Sequence, residues 1–442
     1  MRAAQEVQAV EPAVDGQFGG IATAPYPLTR RHMLATLVAS GVAATRAAAG
    51  PPAPQVHELP VTGEASDRFK ELDDLLRAFL IEHRIPGAAL AIAHHQRIVF
   101  ARGIGRADRR QGTPVLPTSR FRIASISKPL TALATARLIE QGRLHWDDHA
   151  LRLLEKHPEF NNSPIRPADE RWHHITVRHL LQHRGGWDRR KSFDPMFRPV
   201  EIALWHATPP PATSIQVIRY MLAQPLDFDP GSRAAYSNFG YCVLGRILEA
   251  ITGEPYEAVV RREVLEPSQA EHTELGNTRV RKDFEVRYYA RGEAWGPSVF
   301  AEDLGKPSPS PYGAFFLEAM DAHGGWISTA VDLIRISSRL YHPRRPLLSA
   351  ETRDILLAKP EGILEDRPSS GGADAYFACG WMVRPVEQGI NCWHTGSLPG
   401  TSTLLVRRFD DMHWAVLFNQ RQGRDGRAVA TIIDPLLHPL IR

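Results

Sequence analysis

Between residues 66 and 83, apolar side chains recur every three or four positions: Phe69, Leu72, Leu75, Leu76, Phe79 and Leu80. That spacing predicts one buried helical face, with Ser66 as its N-cap. The period then shortens. Gly87-Ala-Ala-Leu-Ala-Ile-Ala and Arg97-Ile-Val-Phe-Ala-Arg-Gly flank residues 94–96 and predict a strand hairpin. Helices are expected over 148–157 and 175–183, and the stretch from about 150 to 330 reads as mostly helix and loop, with a proline-rich break at 209–211. Residues 376–384, 391–395, 402–408 and 414–419 are strand-like, and 428–437 predicts a closing helix. Strands at both ends with helices between them predict an α+β fold: one antiparallel sheet built from both chain ends and flanked by helices, with a mostly α-helical region beside it.

The first fifty residues do not follow either period. Thr29-Arg30-Arg31-His32-Met33-Leu34 begins a twin-arginine pattern, followed by a short apolar run, Arg46 and the small residues Ala47, Ala48 and Ala49. Residues 1–49 are therefore expected to be an export signal that directs the protein to the periplasm or outside the cell, the alternative being a cytoplasmic protein with a chance Arg-Arg pair. The run is too short for a stable transmembrane anchor. Residues 50–62 read as a linker and 63–440 as a single domain carrying the helical insertion at about 150–330.

Composition changes this picture little. The 442-residue chain is 43% hydrophobic and 23% charged, with a formal net charge of +4, values of an ordinary globular protein. No basic run is interleaved with aromatics, so a nucleic-acid partner is not expected. Three cysteines (Cys242, Cys379 and Cys392) are too few for a disulfide scaffold, and no Cys-x-x-Cys pair suggests a metal knuckle. Cys379 and Cys392 flank an expected hairpin. They are read as small buried residues, with pairing across the hairpin as the alternative. No phosphate-binding glycine motif occurs, so no cofactor is expected. His173, His174, His179 and His183 cluster, but the spacing His-Leu-Leu-Gln-His lacks the acid of a zinc-protease helix, and no metal is assigned. Asp147 and Asp148 are read as turn or capping residues.

The candidate chemistry begins in Phe121-Arg-Ile-Ala-Ser125-Ile-Ser-Lys128, where an extended segment meets a helix-forming run. Lysine is scarce, at seven residues among 53 basic ones, and only Lys128 has a serine three positions before it. On a helix that spacing lets the amine reach the hydroxyl, and a desolvated lysine can activate a serine. Two more stretches supply partners. In Tyr236-Ser-Asn238 a phenol can exchange protons, while the amide can hold a substrate amide and the lysine together. In His394-Thr395-Gly396-Ser397, a strand edge can offer the Ser397 N–H to an oxyanion, and glycine permits close approach of substrate.

Ser-x-x-Lys, Tyr-x-Asn and His-Thr-Gly in this order resemble the motif set of the serine β-lactamase and penicillin-binding-protein superfamily, in particular its class C-like branch. Leu180-Leu-Gln-His183-Arg-Gly-Gly, Phe228-Asp-Pro-Gly231 and Gly324-Gly-Trp-Ile-Ser328-Thr-Ala are similar to that branch as well. The resemblance implies an active site between sheet and helical region, with Ser125 as acylated nucleophile, Lys128 as its activating partner and Tyr236 as second acid/base. Asn238 would position a small-molecule ester, amide or lactam, and the Ser125 and Ser397 amides would form the oxyanion hole. His394 departs from the lysine common at that place, which favours esterase-like activity over β-lactamase or D-amino-acid peptidase activity. A non-turnover covalent binding or assembly protein on the same fold is the alternative from another class. Oligomeric state has no readable signal.

Overall fold

The leading helix, Lys70–His83, buries Leu72, Leu76, Phe79 and Leu80 as its periodicity requires. The computed structural model describes residues 59–161, 165–361, 372 and 374–441. The expected export signal, and the linker as far as residue 58, lie outside the described residues. The end of that linker is corrected: Val61–Thr62 is an edge strand paired with Ile104 and Gly103. Ser66 precedes a short 3-10 turn, Asp67–Phe69, but its side chain makes no capping hydrogen bond.

One large antiparallel sheet carries the fold. Its strands run in the order Val61–Thr62, Arg97–Asp108, Gly87–His94, Met412–Phe418, Thr401–Arg407, Gly389–Leu398, Met382–Val386 and Tyr376–Phe377, with Thr113–Pro114 added beside Arg97–Asp108. The N-terminal hairpin meets the C-terminal strands where Leu90 pairs with Val416, so both chain ends do build one sheet. Both sheet faces are covered. Leu90, Ile92, Leu404, Trp414, Val416 and Phe418 face the terminal helices Lys70–His83 and Val429–Leu437. The alternate positions Ala89, Ala91, Ala93, Ala415 and Leu417 face the other way, into the larger core. This period-2 division follows from the pleat, and the small alanines let helix Ala330–Arg339 pack closely on that face. Each large apolar side chain so buried contributes roughly 1.5–3 kcal/mol.

The middle of the chain forms the helical region, with Asn238–Thr252 at its centre and Phe239, Tyr241, Leu244 and Ile247 fully buried along it. Several expected elements are shorter than their apolar runs. Helices occupy only Ala150–Leu154 and Val177–Leu181, the latter begun by a capping box between Thr176 and His179. The segment 376–384 is two strands, because Gly380 turns the chain at φ +74°. Of the small sheet of Phe121–Arg122, Trp326–Ser328 and Glu274–Leu275, only the extended segment at Phe121 was read from the sequence. All three cysteines are free and buried. Among the described residues no helix is long and apolar enough to cross a membrane.

Candidate active site

Ser125 stands where the small sheet hands over to the buried helix Ser127–Glu140. Arg122 pairs with Ile327, the Ile123 N–H donates to the Trp326 carbonyl at 2.9 Å, and the Ala124–Ile126 turn follows. This entry is anchored from below. The fully buried Arg122 guanidinium donates to the carbonyls of Pro311, Asn277 and Thr278 and lies 4.4 Å from the Tyr288 ring centroid. From the main sheet, the hydroxyls of Thr401 and Thr403 donate to the Arg122 and Ile123 carbonyls at 2.9 and 3.0 Å. Ala124 is left-handed at φ +48°, a conformation costing an ordinary residue about 1–2 kcal/mol. The turn leaves Ser125 half-exposed within an otherwise buried run from Phe121 to Ala136.

Lys128 is fully buried, with its amine 3.1 Å from Ser125 Oγ, 2.7 Å from Asn238 Oδ1 and 3.1 Å from the His323 carbonyl. Burial holds its pKa well below the ordinary lysine value. The Asp194 carboxylate pulls the other way, and Arg189 adds to the lowering. A neutral amine has two N–H donors and one lone pair. Asn238 Oδ1 and the His323 carbonyl can only accept, so in the neutral form they would take both donors and leave the lone pair to the Ser125 hydroxyl. The Asn238 orientation has its own cause: its Nδ2 donates to Asp194 Oδ2 at 2.6 Å, which turns Oδ1 towards the lysine. Asp194 is half-buried, and desolvation raises its pKa while Arg189 and the Asn238 bond act against that rise.

Tyr236 lies against the same amine, with its ring centroid 4.7 Å from Lys128 Nζ. The rings of His183 and Phe377 flank it at 4.6 and 5.4 Å, and the Arg189 guanidinium is 4.9 Å from its centroid. His183 also accepts from the Ser237 N–H at 3.2 Å, so it shapes the loop that presents Tyr236. His179 caps its own helix. The two histidines are thus committed to local structure, and among the described residues no group of three or more His, Cys, Asp or Glu is placed to hold a metal. Asp147 pairs with Arg178, and Asp148 accepts from the His145 N–H, as turn residues do.

The third stretch lies on strand Gly389–Leu398. His394 is buried, and its pKa falls to about 3, chiefly through burial and then through the charge of Lys128. Its Nδ1–H donates to the Thr395 carbonyl at 2.7 Å, and its buried Nε2 has no hydrogen-bond partner among the described residues. Thr395 and Ser397 are half-buried, and the Ser397 hydroxyl accepts from Arg421 Nε at 2.9 Å. Gly396 serves the scaffold: a Cβ there would lie 2.1 Å from the Ile123 carbonyl and 2.2 Å from Thr403 Oγ1. The missing side chain therefore admits the segment that leads into Ser125, where the sequence suggested room for substrate.

Ser125, Lys128, Asn238 and Tyr236 are thus brought together, while His394 stands 6.5 Å from Tyr236, ring to ring. Asp194, Arg189 and the His323 carbonyl join the site without having been singled out from the sequence. An Asp-Pro pair before a short helix reads as an N-cap, and Asp194 does cap Met196. Its second oxygen is what reaches Asn238.

Comparison with known proteins gives the family. The family model described as Beta-lactamase matches residues 72–437. Penicillin-binding protein 4* of Bacillus subtilis is 25% identical over 361 residues, covering 80% of this chain and 72% of that protein. Esterase EstB of Burkholderia gladioli is 32% identical over 217 residues, 46% of this chain and half of that esterase. Among solved structures, the hydrolase EstCE1 superposes with a TM-score of 0.64 at 22% identity, covering 85% of this chain and 98% of its own. The matched span takes in all three motif stretches and both halves of the sheet, and the chain belongs to the Beta-lactamase family, within the serine β-lactamase and penicillin-binding-protein superfamily of hydrolases.

Proposed function

We propose that the protein is an esterase-like serine hydrolase of the class C-like branch, working through an acyl-enzyme on Ser125. One observation carries the reading: the desolvated Lys128 amine lies within hydrogen-bond distance of two carbonyl oxygens and of Ser125 Oγ, so once it is neutral the carbonyls take its two N–H groups and its lone pair falls to the Ser125 hydroxyl. In this reading the Ser125 proton moves to Lys128 as Oγ bonds to the ester carbonyl carbon. The N–H groups of Ser125 and Ser397 hold the oxyanion, the former at a helix start where no earlier turn competes for it. The alkoxide then leaves with a proton relayed from Lys128 through Tyr236. Water, deprotonated by the same pair, releases the carboxylic acid and restores Ser125.

The preference for esters rests on His394 and Asn238. A buried, neutral imidazole with its Nδ1–H already spent is a poor partner for the carboxylate of a β-lactam or a peptide C-terminus. Asn238 has committed one amide hydrogen to Asp194, which weakens its hold on a substrate amide. The test is a panel of short p-nitrophenyl esters, a chromogenic cephalosporin and a D-Ala-D-Ala peptide. Ester turnover at least about a hundredfold above the other two in kcat/KM is expected, a difference of roughly 3 kcal/mol in transition-state binding. Comparable or better lactam or peptide hydrolysis would move the protein to the β-lactamase or D-peptidase class. Acylation without turnover of any substrate would favour a covalent binding protein. Export through Arg30-Arg31 belongs to the same proposal, and R30K/R31K should retain the protein in the cytoplasm.

A further inference from the structure

A cavity of about 760 Å³ opens beside the segment Arg287–Trp295, and Arg84, Arg109, Arg110, Arg287, Arg291 and Arg424 line it. Many arginines elsewhere pair with carboxylates, as in Arg102–Asp73 and Arg246–Asp321. Here, among the described residues, none of the six forms an ion pair. Arg109 and Arg287 instead lie over the rings of Tyr289 and Tyr312, at 5.5 and 5.8 Å. The nearby acids are used by others: Asp108 by Arg281 and the Arg110 main chain, Asp425 by Arg427. Six like charges around one concavity repel, and the low-dielectric aromatic walls strengthen that repulsion. An anion relieves it, and guanidinium groups suit bidentate binding of phosphate or carboxylate.

We infer that this arginine-lined cavity is a binding site for a small polyanion carrying two or more phosphate or carboxylate groups. Six guanidinium groups exceed what one monoanion can engage, and the volume falls within the range of small-molecule sites. The aromatic floor lets the ligand carry a flat apolar portion. The cavity is distinct from the Ser125 site but shares a wall with it. The Tyr288 hydroxyl accepts from the Arg122 N–H at 2.7 Å, three residues before the nucleophile.

Titration calorimetry of the full chain with inorganic pyrophosphate, with citrate and with neutral sorbitol tests this. Saturable binding of pyrophosphate or citrate below about 1 mM, weakened by salt and absent for sorbitol, is expected. Pyrophosphate alone would identify a phosphate ligand, citrate alone a carboxylate one. R109E/R424E should weaken binding by about a hundredfold or more, near tenfold for each lost charge-assisted contact, with ester turnover and circular dichroism unchanged. If that variant does not fold, R110Q/R291Q replaces it, with at least about a tenfold loss expected. No binding of either anion, unchanged affinity in the folded variant, or binding of long polyanions such as heparin only would overturn the assignment.

Discussion

Replacing Asp194 by asparagine removes one half-buried charge while keeping shape and an acceptor for Asn238. The two hydrogen bonds from Lys128 to Asn238 and from Asn238 to Asp194 measure 2.7 and 2.6 Å. With the amide between them, the charges lie no more than about 7.5 Å apart, an attraction of roughly 2 kcal/mol at an effective dielectric of about 20. That equals about 1.5 pKa units. The Asp194 charge raises the Lys128 pKa, opposing the larger effect of burial, so losing it lowers that pKa further. Lys128 must be neutral to accept the serine proton, and activity therefore rises with pH through its pKa. In D194N the acid limb of the kcat/KM profile should move about 1.5 units towards lower pH. The assay is p-nitrophenyl ester hydrolysis from pH 4 to 10, with enzyme stability checked at each end. A limb that stays in place, or moves upwards, would refute the reasoning, because then either Asp194 carries no charge or Lys128 is not the base.

Other expectations follow from the same geometry. D194A, which also frees the Asn238 amide to turn, should lower kcat by about tenfold or more with little change in KM; a KM effect alone would make Asp194 a substrate contact. G396A should lose about 2 kcal/mol or more in urea unfolding and most of its activity, since its Cβ collides with the Ile123 carbonyl; wild-type stability would contradict the packing. His394 titrates near 3 in the fold against about 6.5 unfolded, so its stabilising contribution is complete above pH 6.5 and is lost as pH falls towards 3. H394Q should therefore reduce the slope of stability against pH in that window by up to about 1.4 kcal/mol per unit, measured by urea melts; an unchanged slope would mean that His394 is already charged.

How far the sequence could be read depends on how local each interaction is. Ser125 and Lys128 are three residues apart, so their contact follows from helical spacing alone. The sheet strands were legible as short apolar runs, and both chain ends reach one sheet because those runs need cover on both faces. Asp194 resisted the same reading. It lies 44 residues before Asn238, in a segment whose local pattern explains it fully as a helix cap. The His323 contact is made by a main-chain carbonyl, which no side-chain pattern can announce. Gly396 was legible as a place needing closeness, but which group comes close is tertiary information. The arginine cavity was hidden differently, because its cations come from segments near 84, 110, 290 and 424 and a net charge of +4 conceals their convergence.

Covalent labelling tests the central claim most directly. The protein is incubated with a fluorophosphonate, digested and mapped by mass spectrometry, beside the S125A variant. The account predicts a single phosphonyl adduct on Ser125 that disappears in S125A, together with ester turnover falling by about 10⁴-fold or more. An adduct on any other residue, or labelling and turnover that survive S125A, would contradict it.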